Sequence, residues 1–372
     1  MTDDDSGALR TTALHDAHRA LGARLVPFSG FEMPVQYAGV LKEHDAVRKR
    51  AGLFDLSHMA QFALSGAGVG PWSETLTINK VANMKPGQAR YNIFTNERGG
   101  AHDDVIFYRL SDDRWLLVVN AGNAAKMWAH VNAERSGDVA LENLHGSRAL
   151  IAIQGPRSVE WLQPYIDVDI GAMKYYSCVE TRVKGAPSAV VIARTGYTGE
   201  DGFEVFLPSE EATGVWDLLL AENGARGLEP CGLGARDVLR LEAGMPLYGH
   251  ELTEEITPLQ AGLGWAIKFD KPEFRGKDAL LAQRDAGDYA RIVGVTMDGR
   301  VPARAGYPVF ARAHRAGEIR SGSFAPSVGR SIATALVDPV DAAEGTAIEV
   351  EVRGARQPAT VTPMPFYKRP KG

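Results

Sequence analysis

From Arg291 onward the chain reads as short apolar runs (Ile292 to Met297, Ala333 to Val337, Ala347 to Val352, Ala359 to Pro363) broken by Gly and Pro and without a helical period. A stretch of about 80 residues with that pattern closes on itself as a terminal β-barrel or sandwich. The residues before it follow a different pattern. Helix-like segments are expected at Thr12 to Gly22 and Gly39 to Ala51, separated by a Gly/Pro loop from Phe28 to Pro34. Strands then alternate with helices: Gln61 to Leu64, Asp104 to Leu110 and Trp115 to Asn120 read as strands, Pro71 to Asn79 and Ala124 to Glu134 as helices. A second such stretch carries strands at Ala149 to Gln154, Ala189 to Arg194 and Phe203 to Leu207, with helices at Ser158 to Tyr165, Glu211 to Glu222 and Ala235 to Ala243. The expected class is therefore α+β and multidomain, and 372 residues are enough for two or three domains at roughly 150 residues each.

Charge and cysteine usage narrow the function. Lys plus Arg at 41 against Asp plus Glu at 46 leaves a net charge of −5, without the basic excess that phosphate-backbone binding needs, so no nucleic-acid partner is expected. No apolar run approaches the roughly 18 residues of a membrane span, and the acidic start MTDDDSG resembles neither a signal nor a transit peptide. A cytoplasmic protein without a membrane partner is expected. Cys178 and Cys231 stand far apart in no metal-ligand spacing and are expected as small core residues.

Several familiar signals are broken. Gly66-Ala-Gly-Val-Gly70 runs into Pro71 instead of a third spaced glycine, so no dinucleotide loop is expected. His250-Glu251 starts like a zinc-protease helix, but Glu254 stands where the second His belongs, and no metal site is expected. Asp55, Ser57 and His58 are too close in sequence for a nucleophilic triad, and His58 reads as a structural turn residue.

Three segments carry chemistry. In Gly99 to Tyr108 a glycine turn runs through two carboxylates into an apolar strand. Alternation puts Asp104 with Ile106 and Tyr108, and Asp103 with Val105 and Phe107. One Asp must face inward as a base or electrostatic partner, unless both cap the turn. On this reading Asp104 carries the chemistry and Asp103 shapes the Gly99-Gly100 turn. In Arg194 to Phe206, Gly196, Gly199 and Gly202 allow close backbone approach, Tyr197 offers a stacking face, and Glu204 could accept two parallel N–H donors such as a pterin edge presents. An ordinary glycine-rich hairpin with an exposed Glu is the alternative. In Pro230 to Gly244, Arg236 and Arg240 lie one turn apart on one helix face. A cation in a first helical turn opposes the macrodipole, so Arg236 calls for an anion, either a ligand or a nearby carboxylate.

Together these segments resemble the glycine cleavage T-proteins, tetrahydrofolate-dependent aminomethyltransferases. The resemblance runs from about His15 to about Arg369 through GLFDLSHM from Gly52, the GG-x-x-DD strand, LVVNA from Leu117, ALIAIQGP from Ala149, RTGYTGEDGFE from Arg194, GLGARDVLRLEAGMPLYG from Gly232 and SGSFAPSVGRSIA from Ser321. It implies a three-domain cloverleaf around a central folate cavity: a discontinuous first α+β domain (residues 1–55 and 143–255), an inserted ferredoxin-like α+β domain (56–142), a connecting segment (256–288) and a C-terminal β-barrel (289–372). The implied reaction moves the methylene carbon of an aminomethyl group from the lipoyl arm of H-protein to tetrahydrofolate, releasing ammonia and forming 5,10-methylenetetrahydrofolate.

Carried over by motif, Asp104 is the expected catalytic carboxylate. Glu204, Tyr197, Arg236, Tyr91 and Asn120 match folate-cavity positions, and Met59, Tyr108 and Tyr248 match its wall. Met245 stands where some relatives carry an aromatic residue, and Arg369 stands near a C-terminal arginine contact of the family. The other readings are a folate-dependent demethylase of a small methylated compound and a non-catalytic folate-binding protein. The second of these branches carries K-G-C-Y-x-G where this chain has TGYTGEDG.

Overall fold

The computed structural model describes residues 8–312 and 314–370. Among them are a two-stranded hairpin, a six-stranded sheet, a five-stranded sheet and a closed six-stranded barrel. No helix among the described residues is long and apolar enough to cross a membrane.

The six-stranded sheet runs in the order Cys178–Thr181, Val190–Ala193, Gly202–Pro208, Arg148–Gln154, Ala51–Asp55, Leu228–Pro230. Only its last pair is parallel. Strand alternation gives it two different faces. Phe203, Val205, Ile151 and Ile153 pack on Trp161 and Trp216 of the helices behind, while Phe54, Leu150, Ala152 and Phe206 point the other way. The five-stranded sheet, ordered Gln88–Thr95, Ala101–Arg109, Arg114–Val119, Ala60–Ser65, Ala140–Asn143, behaves alike. Phe62, Phe107 and Leu117 pack on the Val69–Leu76 and Ala124–Ala133 helices, whereas Tyr108, Leu116 and Val118 meet Phe206 and Leu150 of the first sheet. The two sheets thus bury one apolar layer between their inner faces. Both cysteines are buried thiols in that layer.

The barrel closes from Arg291–Met297 through Arg330–Val337, His314–Ala325, Pro308–Ala311 and Ala347–Val352 to Ala355–Thr362, which pairs back with the first strand. Closure removes the exposed edges that six short strands would otherwise present. The segment before the barrel holds the Lys277–Ala286 helix and buries Leu252, Leu263 and Phe274 against Ile93 of the five-stranded sheet and Ile78 of the loop that leads to it.

One side chain ties many of these parts. Arg48, on the Val40–Lys49 helix, donates to the Thr198 carbonyl (2.7 Å), Glu200 (2.9 Å), Glu242 (2.8 Å) and Ser327 of the barrel (3.2 Å), and its guanidinium lies 4.0 Å from the centre of the Tyr367 ring.

Two expectations are corrected. Phe28 to Pro34 is not a loop: Arg24–Phe28 and Phe31–Gln36 form a hairpin turning on Ser29 and Gly30. Both tip residues have positive φ (49° and 79°), and Pro34 is tolerated because a two-stranded ribbon leaves edge positions that need no N–H. The expected Gly39 to Ala51 helix ends at Lys49, and Ala51–Asp55 is a buried strand of the six-stranded sheet. Its burial on both faces erased the alternation that marks a strand.

Candidate active site

A cavity of about 810 Å³ opens where the inner faces of the two sheets meet the hairpin tip, the Leu233–Glu242 helix and the segment before the barrel. It brings together Met59, Tyr91, Asp104, Tyr108, Asn120, Tyr197, Glu204, Arg236 and Tyr248, which lie on segments up to 189 residues apart in sequence. Sheet pairing explains this. Asp104 and Tyr108 share the inner face of Ala101–Arg109, and Glu204 shares the inner face of Gly202–Pro208 with Phe206, whose ring centre lies 5.1 Å from that of Tyr108.

Asp104 sits half-buried on the cavity wall. Its Oδ2 accepts from the Tyr91 hydroxyl at 3.1 Å and its Oδ1 from the Asn120 amide at 2.8 Å. Burial pushes its carboxyl up to about 6 against those hydrogen bonds, so it is an anion at neutral pH yet a better base than a free aspartate. Burial, with the Asp104 charge second, also raises the Tyr91 hydroxyl well above its usual range, keeping it a donor.

Glu204 is buried across the cavity. Its Oε2 accepts from Tyr108 at 3.1 Å and from the Thr195 hydroxyl, while Oε1 takes neither bond. Arg236 lies on the cavity wall with its guanidinium carbon 4.6 Å from the centre of the Tyr197 ring. No carboxylate among the described residues stands within 4.0 Å of it, and burial lowers its proton affinity. The ion pair belongs to its neighbour instead. Arg240 bridges Asp237 (2.8 Å) and the buried Glu251 (3.1 Å) and also reaches Ser321 of the barrel. Tyr197 donates its hydroxyl to the Pro246 carbonyl, and Arg236 lies over one face of its ring. At the rim, Tyr248 donates to the Ala101 carbonyl (3.2 Å) and accepts from Lys126 (2.9 Å), and Met59 and Met245 complete the apolar wall.

One sequence expectation changes. Asp103 does not shape the Gly99-Gly100 turn. That turn is closed by Asn96, whose Oδ1 accepts from Arg98 N–H (3.0 Å) and Gly100 N–H (3.1 Å), while Asp103 is fully buried in the five-stranded sheet's core. Gly196 lines the cavity, and both it and Gly202 are also required by a protein neighbour: a Cβ at either would strike the Gln154 side chain, which bonds Thr195 and Thr198. His58 lines the cavity with its ring edge against Phe28, and burial lowers it to about 4, so it is neutral. Glu251 is committed to Arg240 and Leu247 N–H, and His250 to the Arg320 carbonyl. Sequence reasoning missed Trp265, a 62% exposed ring stacked 6.1 Å from Tyr91 at the cavity lip, and Tyr176. Neither lies in a segment whose pattern differs from ordinary core or loop. Arg369 comes within 3.9 Å of Asp201.

Comparison with known proteins agrees with this architecture. Residues 14–271 match the GCVT N-terminal domain, and residues 291–368 match the glycine cleavage T-protein C-terminal barrel domain. The chain is similar to the aminomethyltransferase of Deinococcus deserti, 47% identical over 371 residues and spanning 100% of both chains. It is also similar to that of Streptomyces coelicolor, 45% identical over 372 residues, 98% of this chain and 100% of the relative. The crystal structure of glycine cleavage system aminomethyltransferase T from Bartonella henselae superposes with a TM-score of 0.91 at 36% identity, over 97% of this chain and 99% of that one.

Proposed function

This chain belongs to the glycine cleavage T-protein family, and from that premise we propose which of its residues perform the family's chemistry and on what carrier. Its activity is aminomethyl transfer in glycine cleavage, with tetrahydrofolate as co-substrate. The observation that supports the residue roles is one cavity uniting a half-buried carboxylate, Asp104, with a buried acceptor, Glu204, and a cation, Arg236, that has no carboxylate partner among the described residues.

These groups suit tetrahydrofolate. The Oε1 of Glu204 can receive the N–H donors of a pterin edge, and Arg236 can receive an anionic or carbonyl group. When bound, the co-substrate supplies the nitrogens that take the methylene carbon. The chain does the rest. As the carbon leaves sulfur, positive charge develops on it, and the anion of Asp104 stabilises that charge inside a wall of low polarity. Tyr91 and Asn120 hold the carboxylate in place, so its orientation needs no rearrangement during the reaction. The carrier is the lipoylated H-protein, in the cytoplasm, with the lipoyl arm entering the cavity. The residue divisions 1–55 with 143–255, 56–142, 256–288 and 289–372 serve as the working domain boundaries.

Ammonia release from aminomethyl-loaded H-protein tests the reading. Fast release that requires tetrahydrofolate is expected. Equal release with and without it, or turnover of a free methylated amine in place of the carrier, refutes the assignment.

A further inference from the structure

Alternation along Ala101–Arg109 turns Asp103 away from the cavity, into the core that Val105 and Phe107 share. Three donors converge on its carboxyl. The amide nitrogens of Asn123 (2.7 Å) and Asn120 (2.8 Å) reach Oδ1, and the backbone N–H of Asn120 reaches Oδ2 at 3.2 Å. All three come from the turn that leaves the Arg114–Val119 strand and lines the cavity. The same Asn120 amide nitrogen lies 2.8 Å from Oδ1 of Asp104 and 3.0 Å from its carbonyl. An amide group carries two N–H bonds in one plane, so directing one at Asp103 fixes where the other points.

We propose that Asp103 is a positioning residue for the transfer: it fixes the Asn120 amide, and that amide fixes the carboxylate of Asp104 at the cavity wall. The proposal rests on the reading of Asp104 as the reacting carboxylate. Electrostatics agree with a linked pair. Burial, with the charge of Asp104 second, raises the Asp103 carboxyl above the usual carboxylate range, and burial raises that of Asp104 as well, so the two titrate as a linked pair. The other titratable groups facing the pair are Tyr91, Tyr176, Tyr197 and Glu251 beside Asp104, and Tyr248 with Lys126 on the side of Asp103.

A double-mutant cycle, read at saturating co-substrate and carrier, is the test. Asp103→Asn puts a donor where an acceptor stood, and kcat is expected to fall about 10- to 100-fold through misplacement of Asp104, with folate Kd and both KM values within about twofold. Asn120→Ala should cost a similar factor. The double variant should be no worse than the poorer single one, because both act through one amide. Additive losses, or losses that appear in KM and melting temperature with kcat unchanged, overturn the proposal. If Asp103→Asn does not fold, Asn123→Ala takes its place in the cycle, with the same non-additivity expected.

A second readout needs no turnover. In carbon-13 NMR of the aspartate carboxyls of the free protein, Asp104→Asn should lower the pH at which Asp103 titrates by about one unit or more, since a neighbouring negative charge is removed. An unmoved Asp103 titration overturns the link. Full turnover by Asp104→Asn refutes the assignment of Asp104 instead, so the two failures are distinguishable.

Discussion

Replacing Glu204 by Gln changes one atom and isolates what the carboxylate contributes. Glu204 is only 7% exposed, and its Oε2 already holds the hydroxyls of Thr195 and Tyr108. A glutamine keeps those two donors satisfied by turning its single carbonyl oxygen toward them. Its NH2 group then takes the place of Oε1 and faces the cavity. A ligand edge that presents N–H donors there meets donors, and a buried donor left without an acceptor costs about 1–3 kcal/mol. At 1.4 kcal/mol per tenfold, the folate Kd should rise roughly 5- to 150-fold. The alternative rotamer turns the NH2 inward and forces both hydroxyls to give up their acceptor, at a similar cost. Calorimetric titration of tetrahydrofolate, without carrier, measures the change directly. At saturating folate kcat should stay within a few-fold of the parent, because Glu204 lies across the cavity from Asp104 and only binds. A Kd within twofold of the parent refutes the role of Glu204; an unchanged Kd with a collapsed kcat would move it into the chemistry.

The charge of Asp104 should matter for rate and little for binding: Asp104→Asn is expected to lower turnover ~10²–10⁴-fold, with folate Kd near the parent value. Since burial raises that carboxyl to about 6 and the anion is the working form, kcat should fall as pH drops through about 6, a limb that a pH-rate profile shows and that the variant lacks. Docking of the lipoyl carrier has no broad field to draw on at a net charge of −5, so it should rely on a local basic patch. Its KM should accordingly rise about threefold or more from low to moderate salt, and a flat response refutes electrostatic docking. The buried Asp55 accepts from His18 (2.9 Å), Thr12 (2.7 Å) and Ser57 N–H (2.9 Å), which hold its carboxyl below the usual range despite burial. Its contribution is present above the unfolded value and lost as pH falls through the lowered folded one; Asp55→Asn should therefore cost about 3–5 kcal/mol in urea unfolding at pH 7 and progressively less in acid.

What the sequence revealed depended on how local the signal was. The phase of Ala101–Arg109 follows from alternation, so the opposite faces of Asp103 and Asp104 were legible, and so was the place of Glu204 opposite Phe203 and Val205. The Leu233–Glu242 helix was legible from its period, including the shared face of Arg236 and Arg240. Which arginine would be paired was not, because Glu251 and Ser321 reach Arg240 from the segment before the barrel and from the barrel itself. Asp103 was misread for the same reason. Its partners sit 17 and 20 residues away on the next strand's exit turn, while the nearby turn it was assigned to is closed by Asn96. Ala51–Asp55 escaped notice because a strand covered on both faces shows no alternation. Trp265 reaches the cavity only through the path of the chain before the barrel.

Arg48 has a bearing on modularity. One guanidinium joins the Val40–Lys49 helix to the glycine-rich loop, the end of the Leu233–Glu242 helix, the barrel's Ser327 and the ring of Tyr367. Lifting away the Val40–Lys49 helix would strand the carboxylates of Glu200 and Glu242, and lifting away the barrel would strip Glu242 of the Ser327 N–H and hydroxyl and open to water a site in which Arg48 is 7% exposed. The barrel is therefore not an interchangeable cassette. A chimera that takes this barrel from one relative and the sheets from another inherits a working interface only if residues 48, 200, 242, 327 and 367 travel as a set.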